Sequence, residues 1–162
     1  MVERVFEKYR KFVSDQHLVN LLAGSWVKLL DDQGRTLKGI RGRPGAVSIG
    51  LDGAEFGIDA IQMDQGTAFP LHTHPGDHIL YVLTGSGFVF VDGVDHEVRA
   101  GDSIFIAGEL PHGVRTAGYL DGRRNRGEPL VFLAFGHPHM PLSSSERMTV
   151  HPDNEDTYLT DK

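Results

Sequence analysis

The chain has 162 residues, a length that suits one domain with its own core. It contains no cysteine, which excludes disulfides, a catalytic thiol, cysteine-held zinc and iron–sulfur clusters. Sixteen basic against twenty-two acidic side chains give a formal charge of −6, which argues against non-specific nucleic-acid binding. No run of ~18 apolar residues offers a membrane span, and the N-terminus has no signal-type apolar stretch, so a cytoplasmic protein is expected.

Residues 2–13 place Val2, Val5, Phe6, Tyr9, Phe12 and Val13 at helical spacing, with charged residues on the other face, and predict an amphipathic helix. Ser14 or Asp15 could cap a second short helix carrying Leu18, Val19, Leu21 and Leu22, stopped by Gly24. Beyond it, short apolar runs alternate with glycine-rich breaks. The runs lie at 26–30, 46–51, 56–63, 79–83, 88–91, 95–98, 103–106, 113–116 and 130–135. This spacing predicts an all-β sandwich or barrel. Asp92–Gly93 is the favoured chemistry for a two-residue hairpin turn. Tyr81, Phe88, Phe90, Phe105, Phe132 and Phe135 fall at strand spacing and read mainly as core. The polar stretch 117–129 reads as a surface loop, or as a basic lip through Arg123, Arg124 and Arg126 that steers an anion. The expected organisation is an N-terminal helical segment with first strands (1–45), a β core (46–137) and a surface tail (138–162).

Nine histidines are many for this length, and four of them are placed suggestively. His72 and His74 stand two apart, so a strand turns both rings to one side. The turn His74-Pro75-Gly76-Asp77 reverses the chain, and His78 opens the next strand. His112 follows a separate Gly101–Asp102 turn and a strand, a return that can bring it opposite the others. Neutral imidazole nitrogens suit zinc, iron, copper and nickel. His96 reads as exposed. His137 and His139 read as loop residues at the end of the last strand. His17 and His151 lie outside the core.

Gly66-x5-His72-x-His74-x3-His78-x6-Gly85 resembles the first motif of the cupin superfamily. Gly101 and His112 fall in register with the second, in which Ala107, Glu109 and Thr116 replace the usual Pro, Gly and Asn. The resemblance spans roughly residues 46–136. It implies an antiparallel jelly-roll β-barrel that holds one divalent transition metal (iron, zinc, nickel, copper or manganese) on His72, His74, His78 and His112. His78 stands where the family usually has glutamate, so the implied site is four histidines. The alternative is a carboxylate from Asp77, one residue earlier, which strand alternation points to the other face.

Four neutral ligands leave the ion's charge uncompensated and make it more electrophilic. The expected function is therefore a metal-dependent enzyme acting on a small oxygen-bearing substrate. An oxygenase is slightly favoured. A non-redox cyclase, isomerase or lyase and a non-catalytic ligand-binding module are the alternatives. Alternation over 56–63 puts Phe56, Ile58, Ala60 and Gln62 on one face; if that face is inward, Gln62 could position metal-bound water. A homodimer is expected.

Overall fold

The computed structural model describes residues 10–121, 127–154 and 160–161. Its main strands are β1 (Val27–Leu30), β2 (Thr36–Ile49), β3 (Glu55–Met63), β4 (His72–Thr73), β5 (Asp77–Thr84) and β6 (Ser86–Val91). They continue with β7 (Val94–Arg99), β8 (Ser103–Ile106), β9 (His112–Thr116), β10 (Leu130–His137), β11 (Thr149–Val150) and β12 (Thr160–Asp161). A seven-stranded sheet runs β1-β2-β3-β10-β5-β8, with β12 on β2. A five-stranded sheet runs β11-β4-β9-β6-β7. All pairings are antiparallel. The fold is thus an all-β jelly roll, but its two sheets are not joined into a closed barrel.

Alternation decides what fills the space between the sheets. Ile61 and Met63 of β3, Leu80 and Val82 of β5 and Leu130, Phe132 and Ala134 of β10 project from the large sheet. Val89, Val98 and Val114 project from the small one. Each of these side chains except Ala134 contributes roughly 1.5–3 kcal/mol when fully buried. Of the six aromatic rings expected in the core, only Phe132 is buried there. Tyr81 and Phe105 occupy the opposite strand phase and are 40% and 62% exposed; Phe88, Phe90 and Phe135 are half-buried.

The β6–β7 turn forms at Asp92–Gly93, where both residues adopt positive φ, 52° and 76°. Most of the expected helix over 2–13 lies outside the described residues, and 10–13 are not helical. The second expected helix is a single turn, α1 (Ser14–His17). The chain leaves the helix at Leu18, which is extended (φ −130°, ψ 98°), and a local turn follows in which the Asn20 side-chain oxygen accepts from the Leu22 amide at 2.8 Å. The three arginines of the proposed basic lip lie outside the described residues, while Ala117–Leu120 form one helical turn, α2.

Two stretches depart further from expectation. The break RGRPG at 41–45 lies inside β2, which absorbs it through a register shift between Pro44 and Val47 opposite β3. The stretch after Pro141 is not a surface tail throughout. Leu142 and Met148 are buried in the core, and Thr149–Val150 pair with β4.

Candidate metal centre

β4 and β9 set the first pair of rings, because their antiparallel register puts His72 opposite His112. His74 follows two residues later on the same face. His72, His74 and His112 are buried, and one nitrogen of each lies within 4.8 Å of the others. Backbone carbonyls fix which nitrogen that is. Nδ1 of His72 donates to Pro70 O at 2.7 Å, Nδ1 of His74 to Gly76 O at 2.9 Å and Nδ1 of His112 to Leu110 O at 2.8 Å. A carbonyl has no proton to give, so each Nδ1 carries the hydrogen and each Nε2 carries a lone pair.

The consequence is unfavourable for the bare protein. Nε2 of His74 and Nε2 of His112 stand 3.0 Å apart, a hydrogen-bond distance with no hydrogen between them. A shared proton would require an imidazolium. Burial and the neighbouring His112 ring push His74 down to about 4, and burial also lowers His112. His72 is pushed well below its usual range by burial, then by His112 and His74. At neutral pH all three rings are neutral, and their lone pairs converge. A cation among the Nε2 atoms resolves this repulsion, so the donor set fits a metal ion. Nδ1–carbonyl bonds of this kind hold ligating histidines in orientation.

His78 faces the same cavity from β5, as alternation with Leu80 and Val82 requires. It lies outside the group of mutually close nitrogens. Its ring stacks on that of His74, with centroids 3.7 Å apart and planes 18° apart. Burial, then His74 and Arg147, push it down to about 2. Asp77 points to the other face, where it accepts from the Gly108 amide at 2.8 Å. Gln62 does not reach the cavity. The inward phase of β3 is Gly57, Asp59, Ile61 and Met63, and Gln62 sits between Ile61 and Met63 on the opposite face.

The cavity is open-mouthed, and its space of about 410 Å³ takes in solvent at the mouth. Ile61, Phe69, Leu80, Val114, Phe132 and Met148 supply its apolar lining. Two charged residues beside it escape sequence reasoning. Asp59, 1% exposed, accepts from Arg147 Nη1 at 2.9 Å and from His139 Nε2 at 3.0 Å, both on Oδ2. Its Oδ1 and the Nδ1 of His139 are buried without a partner among the described residues. His139 lies in the loop after β10, as expected, but its ring is buried against β3, whereas His137 is the last residue of β10 itself. The signal was Gly57, where a Cβ would stand 2.7 Å from the His139 ring. His137, by contrast, pairs with Asp52 at 2.6 Å on the surface, and that bond raises its affinity for a proton. His96 is exposed, as expected.

Residues 60–121 match the family model for the cupin domain. Over 80 residues the chain is 38% identical to a dimethylsulfoniopropionate lyase, DddW, of Ruegeria pomeroyi. That alignment takes in 49% of this chain and 47% of the relative, so the chain matches about half the relative's length. Among solved structures, the polyketide cyclase RemF of Streptomyces resistomycificus superposes with a TM-score of 0.59 at 23% identity, over 85% of this chain and 87% of that one. A cupin-2 domain protein of Rhodospirillum rubrum superposes with a TM-score of 0.60 at 16% identity, over 90% of this chain and 84% of that one. These likenesses establish the fold, and no helix among the described residues is long and apolar enough to cross a membrane. Two motifs in register, the domain model matched by residues 60–121 and this fold together support the cupin superfamily for this chain.

Proposed function

We propose that the protein is a metal-dependent lyase that eliminates a leaving group from a small organic substrate bound through oxygen. The observation that carries this is the set of three Nε2 lone pairs converging in one buried cavity. His72, His74 and His112 hold the ion, and His78, one ring away, is the fourth ligand. A divalent ion there supplies Lewis-acid polarisation of a bound oxygen. The chain's own part is positional. Three backbone carbonyls keep the ligand nitrogens unprotonated and aimed inward. Phe69, Leu80, Val114 and Phe132 keep bulk water away. The lyase relative supports elimination over the oxygenase reading, and dimethylsulfoniopropionate is accordingly the first substrate to offer.

The test loads the protein with zinc, which has no redox chemistry, and supplies dimethylsulfoniopropionate under nitrogen. Elimination breaks the carbon–sulfur bond as a proton passes from the carbon beside the carboxylate to solvent, giving dimethyl sulfide, acrylate and one proton. Dimethyl sulfide and acrylate are expected in equal amounts, and none with His72→Ala and His112→Ala together. Oxygen uptake by an iron-loaded sample, with no elimination by any metal form, would overturn the lyase reading in favour of an oxygenase.

A further inference from the structure

Arg147 is brought to the cavity by the segment after β10, beyond the residues that match the domain model. It is the one permanently charged side chain lining the histidine cavity among the described residues, and no carboxylate lines that cavity with it. Its side chain is 12% exposed. Both of its hydrogen bonds leave from one atom: Nη1 donates to Asp59 Oδ2 at 2.9 Å and to the Met140 carbonyl at 3.2 Å. The Nε–Nη2 edge makes no bond among the described residues, and neither atom is sealed from solvent. That edge is the planar two-donor fork that matches a carboxylate. Asp59 fixes the guanidinium from behind, so less freedom is lost when an anion docks.

We infer that the Nε–Nη2 edge of Arg147 is the anchor for a carboxylate on the substrate, which restricts this site to short organic acids. The apolar lining from Ile61 to Met148 takes the carbon chain, and the histidines stand beside it. The inference rests on the metal-enzyme reading for what happens next to the anchor, but its own test does not need turnover. Asp59 is a positioning residue: it acts through Arg147.

Zinc-loaded protein is titrated calorimetrically with propionate and with propanamide, its neutral isostere. Propionate is expected to bind about tenfold or more tightly than propanamide, and Arg147→Met to remove that advantage, since a hydrogen bond to a charged group carries roughly that factor. Zinc content is expected to stay the same in the variant. Equal binding of the two ligands, or propionate binding unchanged in Arg147→Met, would overturn the inference. Arg147 also closes a buried ion pair, so the wild type supplies a second readout. Its Arg147 Nε resonance should move with propionate and not with propanamide; a resonance that stays put overturns the inference whatever the variant does. Protein that binds propionate through Arg147 yet takes up no zinc would contradict the metal reading alone. Zinc-loaded protein whose Arg147 ignores propionate would contradict this inference alone.

Discussion

The cavity has two unlike walls. On one, His72, His74, His78 and His112 are neutral rings drawn from two motifs; His72, His74 and His112 are held by carbonyls two positions away, and His78 stacks on His74. On the other, Arg147 enters the cavity, held from outside it by a cluster with Asp59 and His139 whose partners are 80 and 88 residues apart in the chain. The first wall is set for binding at a cost in repulsion between His74 and His112. The second is a buried ion pair, in which removing one charge strands the other. The contrast teaches that ligand preparation and wall stability reside in different residues of one site, so they should fail separately.

The largest expected effect is on the histidine wall. His72→Ala with His112→Ala should take metal content from about one ion per chain to nearly none, read by elemental analysis after purification. Retention of stoichiometric metal would dissolve the distinction between the walls.

Next comes the charged wall. Asp59→Asn should lower stability by about 3 kcal/mol in urea unfolding, because Arg147 loses its counter-charge in a buried setting. Zinc binding should survive in the fraction that folds. A loss under about 1 kcal/mol would mean that the ion pair is not what holds this wall.

A pH series separates the walls without mutation. The rings of His72, His74, His78 and His112 all have lowered proton affinity in the fold, chiefly from burial. Their contribution is therefore fully present above the ordinary value of 6.5. As pH falls from 6.5 toward about 4, where His74 titrates in the fold, the unfolded chain binds more protons and stability drops. Metal-free protein should show this loss by thermal unfolding. Zinc-loaded protein should resist it until protons displace the ion. A flat profile for the metal-free protein would mean that the rings are not buried and neutral.

The smallest effect is expected at Gln62. Gln62→Ala should change stability by less than about 0.5 kcal/mol and leave zinc content alone, since the side chain is turned from the cavity. A clear loss of zinc would restore it to the site.

What the sequence made legible follows the same division. The strand at 103–106, the Asp92–Gly93 turn and the facing of His72, His74 and His78 depend on alternation and turn chemistry over a few residues, which local sequence encodes. Asp59 did not show, because β3 carries apolar residues on both phases, and Phe56 and Ile58 made the outward phase look like the buried one. Phe56 is 54% exposed. Arg147 lay in a polar stretch without periodicity, and its role depends on Asp59 from a distant strand. The glycines and proline of 41–45 read as a break because a bulge in a long strand is specified by its partner, β3, rather than by its own residues. Gly57 hinted at a close neighbour, but only the fold identifies it as His139.

Nitrogen NMR of the histidine rings in metal-free protein, followed by zinc titration, reads the three Nε2 lone pairs themselves. Hydrogen on Nδ1 and a bare Nε2 are expected for His72, His74 and His112, with all three Nε2 resonances moving together and saturating at one zinc per chain. Hydrogen on Nε2 of any of the three in the metal-free state, or Nε2 resonances that zinc leaves unmoved, would contradict a metal centre on these rings.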